Sequence, residues 1–345
     1  MPILLAPMAG AALSEMAIAV AEAGGLGSLP CAMLNADQMR AEIEKIRAKT
    51  SRPINANFFC HRSPEVDAQR EQAWRERLAL YYAELGLDPK AITPGAARMP
   101  FDAAACDVVV ELKPEVISFH FGLPEKALLD RVKATGAKIL SSATTVEEAR
   151  WLEQAGCDAI IAQGLEAGGH RGIFLSQDVS TQMGTMALVP QVVDAVKVPV
   201  IAAGGIADAR GIGAAFALGA SAVQLGTAYL FCPEATIKPV HRQALKQGTN
   251  RQTAITNVFS GRAARGIVNR LVREVGPMSE LAPEFPLASG AIAPLRAKSE
   301  AAGSEDFAQM WSGQFVGAGR EIGAAELTKR LEAETLARLR ELHRV

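Results

Sequence analysis

The chain has 345 residues, of which 49% are hydrophobic and 21% charged, and a net charge of −1. This length fits one large α/β domain with a smaller appendage, and the balanced charge without a basic tract argues against nucleic acid as a partner. The apolar runs are shorter than the about 18 residues of a membrane helix, and five cysteines without a CxxC pair argue against disulfides and a zinc site and indicate a reducing compartment, the cytoplasm.

Short apolar runs alternate with helical segments through the first two thirds of the chain. Alternating buried strands and helices predict right-handed βαβ units and a parallel sheet. Eight units favour a closed (β/α)8 TIM barrel, with an open doubly wound sheet as the alternative. The predicted strands are residues 3–7, 26–29, 54–58, 116–121, 138–142, 159–163, 199–203 and 222–227.

Two segments do not fit this alternation. Residues 1–228 are predicted to form the barrel, in which residues 60–115 are too long for one connection and form an extended insertion. Residues 229–320 hold proline-rich breaks and are predicted to form a smaller, mostly helical domain that leans over the barrel mouth as a lid or substrate domain. Residues 321–345 are expected to form a C-terminal helix that returns to the barrel.

Glycines stand at the ends of the last two predicted strands. Gly204 and Gly205 follow the seventh strand, and Gly226 and Thr227 follow the eighth. Main-chain amides and the Thr227 hydroxyl at this edge are suited to bind a phosphate, although the glycines could simply turn the chain. Because no GxGxxG motif opens a leading βαβ unit, the phosphate is not expected to belong to a dinucleotide bound in the Rossmann manner.

The sixth strand leads into the loop Gln163–Gly172, which combines an amide, an imidazole and four glycines. Its His170 is the candidate base, expected to be exposed at the mouth and to exchange a proton near neutral pH. The alternative is a loop histidine without a chemical role. Glu166 would either orient His170 or face solvent. His120, at the end of the fourth strand, is a candidate for substrate binding or a buried structural histidine.

Amide side chains end two of the buried strands. Gln163 and Asn57 can each donate and accept hydrogen bonds, as the edge of an isoalloxazine ring requires. Asn55 is the other candidate for the role of Asn57. For Gln163 and Asn57, the alternative to ligand binding is a structural hydrogen-bond network inside the barrel. Met8, at the end of the first strand, is placed to pack against a flat ring through its main chain and thioether.

The two arginines of the segment Gly261–Gly266 lie outside the strand–helix alternation. Arg262 and Arg265 are expected on a surface turn and helix, where salt bridges to neighbouring helices are favoured over contact with an anionic ligand. The histidines do not cluster with metal-ligand spacing, so no metal site is predicted. No serine or cysteine stands in a nucleophile motif.

Taken in order, these motifs resemble the nitronate monooxygenases, formerly called 2-nitropropane dioxygenases, in their bacterial class. The resemblance runs from residue 3 to about residue 275. It rests on Ala6–Ala9, Asn57, Ser118–Gly122, Gln163–His170, Ala203–Gly205, Gln224–Thr227 and Ser260–Gly266. It implies an FMN-dependent barrel with a smaller domain over the mouth, in which His170 takes the position of the catalytic base. The positions implied for FMN are Met8, Asn57, Gln163, Gly168, Gly204, Gly205, Gln224, Leu225, Gly226 and Thr227.

The implied reaction is the oxidation of alkyl nitronates by O2 to a carbonyl compound and nitrite through a flavin semiquinone. A nitronate is already an anion, so a base is needed only for a neutral nitroalkane, and His170 is either that base or a stabiliser of the anion. NAD(P)H-dependent FMN reductases of the quinone and enoyl-acyl-carrier-protein types share the scaffold and are the alternative, as is a non-catalytic FMN-binding protein. The expected partners are a small nitronate or nitroalkane and O2, and the sequence is compatible with a homodimer.

Overall fold

The computed structural model describes residues 1–88 and 98–342. Its centre is a barrel of eight parallel strands, in the neighbour order β1-β9-β8-β6-β5-β4-β3-β2. A bridge between Leu4 and Leu26 joins the first and last strands of this order and completes the ring. The barrel strands are β1 (Ile3–Leu5), β2 (Gly27–Pro30), β3 (Ile54–Phe59), β4 (Val116–His120), β5 (Lys138–Ala143), β6 (Ala159–Gln163), β8 (Val200–Ala203) and β9 (Ala222–Leu225). The predicted TIM barrel is confirmed, with each predicted strand in place.

Helices surround the barrel and form much of the rest of the described chain. Several begin at side chains that accept main-chain hydrogen bonds of the first turn, among them Asn35, Asp102, Thr145 and Asp208. The helices are α1 (Ser14–Glu22), α2 (Ala36–Arg47), α3 (Ala68–Glu84), α4 (Ala103–Leu112), α5 (Lys126–Ala134), α6 (Val146–Gln154), α7 (Thr185–Ala195), α8 (Ala209–Ala217), α9 (Pro239–Lys246), α10 (Arg270–Val275), α11 (Ser289–Ala301) and α12 (Ala324–Leu342). Helix α12 packs against α1 and α8.

Helix α3 belongs to the predicted insertion, of which residues 89–97 lie outside the described part of the chain. Its buried face carries Trp74 and Tyr82, whose polar atoms donate to the carbonyls of Ala288 (3.3 Å) and Ala291 (2.7 Å) in and beside α11. The same face shares a hydrophobic cluster with side chains between residues 258 and 307. The insertion therefore packs with the region after the barrel. The boundaries of the predicted domains stay a prediction.

A small antiparallel sheet fixes the loop after β6. It contains β7 (Gly169–His170), β10 (Thr253–Thr256) and β11 (Ala264–Ile267), and β11 lies in the middle. The expectation of a surface turn and helix around Arg262 and Arg265 is wrong: Arg265 lies in β11 and is 5% exposed. Pairing on both sides satisfies the main chain of β11 and encloses it. Ala264 of β11 pairs with His170 of β7, so β11 holds the residue predicted to be the base.

None of the helices within residues 1–88 and 98–342 combines the length and the apolar character that crossing a bilayer requires. In the same residues, no group of three or more histidine, cysteine, aspartate or glutamate side chains is arranged to hold a metal ion.

Candidate active site

A cavity of about 460 Å³ opens at the carboxyl ends of the barrel strands, which is where barrels of this kind place their active sites. It brings together nearly all the residues singled out from the sequence. These are Met8, Asn57, His120, Gln163, Gly168, His170, Gly204, Gly205, Gln224, Gly226 and Thr227. Among the positions implied for the cofactor, Leu225 is the exception, because its side chain is fully buried in the hydrophobic core.

The two candidate asparagines of β3 have different surroundings. Asn57 lines the cavity, and its Nδ2 donates to the Oγ of Ser118 at 3.0 Å. Asn55 lies farther back in the same strand and donates to the Oγ of Ser28 at 3.0 Å. The cavity therefore has access to Asn57, and Asn55 serves the network inside the barrel.

Gln163 holds the loop that follows it through both ends of its amide. Its Nε2 donates to the carbonyl of His170 at 3.0 Å, and its Oε1 accepts from the main-chain N–H of Gly172 at 2.7 Å. A neutral amide matches both partners, because a main-chain carbonyl needs a donor and an N–H needs an acceptor. Gln163 therefore fixes the path of the loop, and the second N–H of its amide remains available to a ligand.

The imidazole of His170 lines the cavity and is packed among aromatic rings. Its ring centroid lies 5.1 Å from that of Phe285 and 5.4 Å from that of Trp311, and its Nε2 lies 2.9 Å from the Oγ of Ser260. The side chain is half-buried, so the expectation of an exposed histidine is wrong. The second sheet and the segment around Trp311 cover the glycine-rich loop. The residues that surround the imidazole, Ser260, Phe285 and Trp311, are all far from His170 in sequence.

Burial, followed by the charges of Arg98 and Arg262, lowers the pKa of His170 well below its usual range. The imidazole is therefore neutral at neutral pH, with one nitrogen free to accept a proton. This also corrects the expectation of a histidine that titrates near neutral pH. The same environment disfavours an imidazolium and favours a bound anion, since the nearby charged groups are cations.

Both ring nitrogens of His120 are engaged by the protein. Its Nδ1 lies 3.0 Å from the Oγ of Ser142, and its Nε2 lies 3.1 Å from the carbonyl oxygen of His170. Burial lowers the pKa of His120 to about 3, so this ring is neutral too. His120 reaches the cavity with its ring edge, but its polar atoms serve Ser142 and the loop.

Glu166 neither orients His170 nor faces solvent. Its Oε2 accepts from the main-chain N–H and from the hydroxyl of Thr185, each at 2.8 Å. Thr185 opens α7, so the carboxylate satisfies main-chain donors at a helix N-terminus, where a negative charge is favoured. Glu166 thereby anchors the back of the loop to the barrel wall.

Sequence reasoning missed the arginine behind the loop. Arg171 has no exposed surface, and its guanidinium donates to the carbonyls of Gln163 (3.0 Å), Gly164 (2.9 Å) and Ala167 (3.2 Å) and to the Oε1 of Gln182 (2.7 Å). These bonds fix the loop from the side opposite the cavity. The signal was its position directly after His170, but a lone arginine in a loop is usually exposed.

The cavity wall formed by β8 and β9 has features that suit a phosphate group. Gly204 and Gly205 have φ values of 119° and 67°, a region that side chains disfavour. The hydroxyl oxygen of Thr227 accepts from the main-chain N–H of Gly313 at 2.9 Å, which leaves its hydrogen for a phosphate oxygen. Gln224 contributes a buried Oε1 without a hydrogen-bond partner in the described chain, an acceptor ready for a donor on the cofactor.

Gly168 is explained by protein packing. A Cβ at this position would lie 2.5 Å from the main-chain nitrogen of Gly313 and from the carbonyl carbon of Ser312. Main-chain atoms cannot move aside as a flexible side chain can. The close approach lets the segment with Trp311 and Gly313 cover one side of the cavity.

Comparison with known proteins gives a consistent result over nearly the whole chain. The family model described as nitronate monooxygenase matches residues 1–334. A nitronate monooxygenase of Pseudomonas aeruginosa is 42% identical, over 96% of this chain and 95% of the relative. A probable nitronate monooxygenase of Staphylococcus saprophyticus is 35% identical, over 91% and 88%.

Two solved structures support the same architecture. A nitroalkane oxidase from Streptomyces ansochromogenes superposes with a TM-score of 0.88 at 37% identity, covering 99% of this chain and 97% of that one. FabK from Thermotoga maritima superposes with a TM-score of 0.75 at 29% identity, covering 99% and 94%.

Proposed function

Because the chain belongs to the nitronate monooxygenase family, we propose that it oxidises alkyl nitronates with O2 to a carbonyl compound and nitrite, with FMN as its cofactor. The observation that carries the proposal is His170, a neutral imidazole that lines a cavity with several glycines in its wall and is held by Ser260. When bound, FMN supplies the single-electron chemistry that links the nitronate to O2. Asn57, Gln163, Gln224 and Thr227 would hold it.

His170 gives the protein a base for neutral nitroalkanes. Ser260 lies 3.4 Å from the carbonyl oxygen of Arg262, to which its hydroxyl can donate. The Ser260 oxygen is then an acceptor, and it favours a hydrogen on Nε2 of His170. Nδ1 keeps its lone pair and is the atom that would take the proton from the carbon beside the nitro group.

The surroundings of the cavity favour an anion after that proton has left. Arg98 and Arg262 stand close enough to lower the pKa of His170, and Arg98 lines the cavity. Neither forms an ion pair with a carboxylate of the described residues. Their positive potential stabilises a nitronate, whether it arrives as the substrate or is made by His170. The rings of Phe59, Phe259 and Trp311 that line the cavity supply an apolar surface for its alkyl group.

The first experiment is the anaerobic mixing of the purified flavoprotein with ethylnitronate, followed by an assay of nitrite under air. We expect the nitronate to bleach the flavin absorbance and turnover under air to release nitrite. His170→Asn should lower the rate with neutral nitroethane about a hundredfold or more, because general-base catalysis contributes that much, and should affect ethylnitronate less. Equal losses with both substrates would assign His170 to anion binding.

A nicotinamide-dependent FMN reductase is the second candidate, favoured by the likeness to FabK. It predicts that NADH or NADPH bleaches the flavin rapidly while ethylnitronate does not. A non-catalytic FMN-binding protein predicts slow bleaching by either donor. The same anaerobic experiment with each donor in turn separates the three possibilities.

The proposed cellular location is the cytoplasm. The cysteines of the described chain are all unpaired, and four of the five are buried, which supports a reducing compartment such as the cytoplasm. A homodimer is the assembly we would test by light scattering.

A further inference from the structure

The carbonyl oxygen of His170 is a point where two side chains from different barrel strands converge. His120, the last residue of β4, approaches it with Nε2 at 3.1 Å. Gln163, the last residue of β6, approaches it with Nε2 at 3.0 Å. A carbonyl oxygen has two lone pairs and no hydrogen, so both neighbours must donate. Both lone pairs of this carbonyl oxygen therefore accept hydrogen bonds from protein side chains.

That requirement fixes the tautomer of His120. Its hydrogen must be on Nε2, and burial keeps the ring neutral, with a pKa of about 3. Nδ1 is therefore an acceptor, and its partner at 3.0 Å is the hydroxyl of Ser142. A hydroxyl can donate to this lone pair. Ser142 thereby selects the tautomer in which His120 points its N–H at the loop.

We propose that Ser142 and His120 form a positioning pair that sets the main chain of His170, and that His120 does not contact the substrate through a polar atom. The pair acts on the carbonyl of His170, while Ser260 acts on its imidazole. Two independent restraints on one residue match what a base needs, because a displacement of about 1 Å at a reacting atom can cost a hundredfold in rate. The inference rests on the proposed function where it treats His170 as the base.

The hydrogen-bond network itself can be tested without turnover. The chain has five histidines, so selective ¹⁵N-histidine labelling gives a spectrum simple enough to assign with a His120→Gln variant. We expect His120 to stay in the neutral form with its hydrogen on Nε2 from about pH 8 to about pH 5. Ser142→Ala should shift the Nδ1 resonance as its hydrogen bond disappears. A hydrogen on Nδ1, or titration near pH 6.5, the ordinary value for histidine, would overturn the proposal.

Kinetics separate a positioning role from a substrate-binding role. His120→Leu should lower kcat with nitroethane about tenfold or more and leave KM for ethylnitronate within about twofold. His120→Gln should recover much of the loss, because its amide can donate to the same carbonyl. A rise in KM with unchanged kcat would instead identify His120 as a substrate-binding residue.

Ser142→Ala is a second variant that tests the proposal even if a His120 variant fails to fold. It should reduce kcat in the same direction by a smaller factor, and adding Ser142→Ala to His120→Leu should cause no further loss, because both changes remove one connected unit. Fully additive losses would overturn the pairing. If the wild-type protein released no nitrite, the proposed function would fail, while the resonances would still report whether the pair exists.

Discussion

The Nε2 atom of His170 lies 2.9 Å from the Oγ atom of Ser260, a residue 90 positions later in the chain. Ser260 has no exposed surface and stands in the turn that leads into β11. We expect Ser260→Ala to lower kcat/KM for nitroethane about tenfold, because the imidazole loses the partner that selects its tautomer. Initial rates of nitrite release, compared with the rates of flavin reduction by the same substrate, would measure the effect.

The matched control for Ser260→Ala is the pre-formed nitronate. Ethylnitronate needs no proton removal, so its kcat/KM should fall by less than that of nitroethane. In a His170→Asn background, Ser260→Ala should change the nitroethane rate little, because the atom it orients is gone. A loss of the same size in both backgrounds would mean that Ser260 acts on something other than His170.

Local pattern was enough to predict the barrel and to bring the candidate residues together at one cavity. Buried strands of a parallel sheet are continuous apolar runs, so their spacing predicted all eight barrel strands. Because active-site residues of such a barrel lie at the carboxyl ends of its strands, Asn57, Gln163 and His170 were also assigned to one cavity.

The environment of His170 could not be predicted in the same way. The pairing of Ala264 with His170 joins segments that are far apart in sequence, and no local signal specifies it. Glycines in the loop indicated an open turn, whereas one of them, Gly168, allows the close approach of the segment with Ser312 and Gly313. Arg262 and Arg265 were predicted on a surface turn and helix because their segment falls outside the strand–helix alternation, yet Arg265 is buried in β11 and Arg262 is half-buried just before it. Each error has the same cause, a long-range contact that overrides local composition.

Arg171 should be a larger contributor to stability than any exposed ion pair. Arg171→Met would remove the guanidinium donors from the carbonyls of Gln163, Gly164 and Ala167, of which the Gly164 carbonyl keeps the main-chain N–H of Ala167. We expect the free energy of unfolding to fall by about 3 kcal/mol or more. Arg171→Lys should be intermediate, because an ammonium keeps the charge and lacks the planar fork. Urea denaturation monitored by circular dichroism measures each change.

Arg210 provides the control for the arginine experiment. It forms a salt bridge with Asp208, and its side chain is 71% exposed. Exposed pairs contribute about 1 kcal/mol or less, so Arg210→Met should alter the free energy of unfolding little. A loss at Arg171 no larger than the loss at Arg210 would show that the loop does not depend on its buried guanidinium.

Gly205 provides a test of the phosphate site that separates charge from shape. Its φ of 67° is tolerated by asparagine and aspartate better than by most side chains. The two variants have nearly the same size, and only aspartate adds a negative charge. We expect Gly205→Asp to raise the dissociation constant for FMN at least about tenfold above that of Gly205→Asn, since a carboxylate repels a phosphate.

Binding of FMN to each apoprotein of the Gly205 pair can be followed by the quenching of flavin fluorescence. The free energy of unfolding of the two apoproteins should be similar, which would exclude a general defect of Gly205→Asp. Dissociation constants of both variants equal to that of the wild-type protein would place the phosphate away from Gly205. Weak binding by both variants, with the aspartate no weaker, would mean that the side chain itself blocks the site.

Acid should destabilise the protein through its buried histidines. Burial is the first cause that lowers the pKa of His61 to about 4, of His120 to about 3, of His241 to about 4, and of His170 well below its usual range. The unfolded chain binds protons on these residues near pH 6.5, the ordinary pKa of histidine, while the folded chain does not. The free energy of unfolding therefore increases as the pH rises through about 6.5, and it decreases as the pH falls below about 6.5.

Between about pH 7 and about pH 5.5, we expect a loss of about 1 kcal/mol for each of His61, His120 and His241, and a loss in the same direction for His170. Carboxylates remain ionised in this range, so they add little to the change. Urea denaturation at several pH values measures it, and His61→Gln should reduce the slope by the share of one histidine whatever its effect at pH 7. A free energy of unfolding that is independent of pH in this range would contradict the neutral state assigned to the buried imidazoles, including that of His170. The same titration therefore tests the premise that His170 enters the reaction as a neutral base.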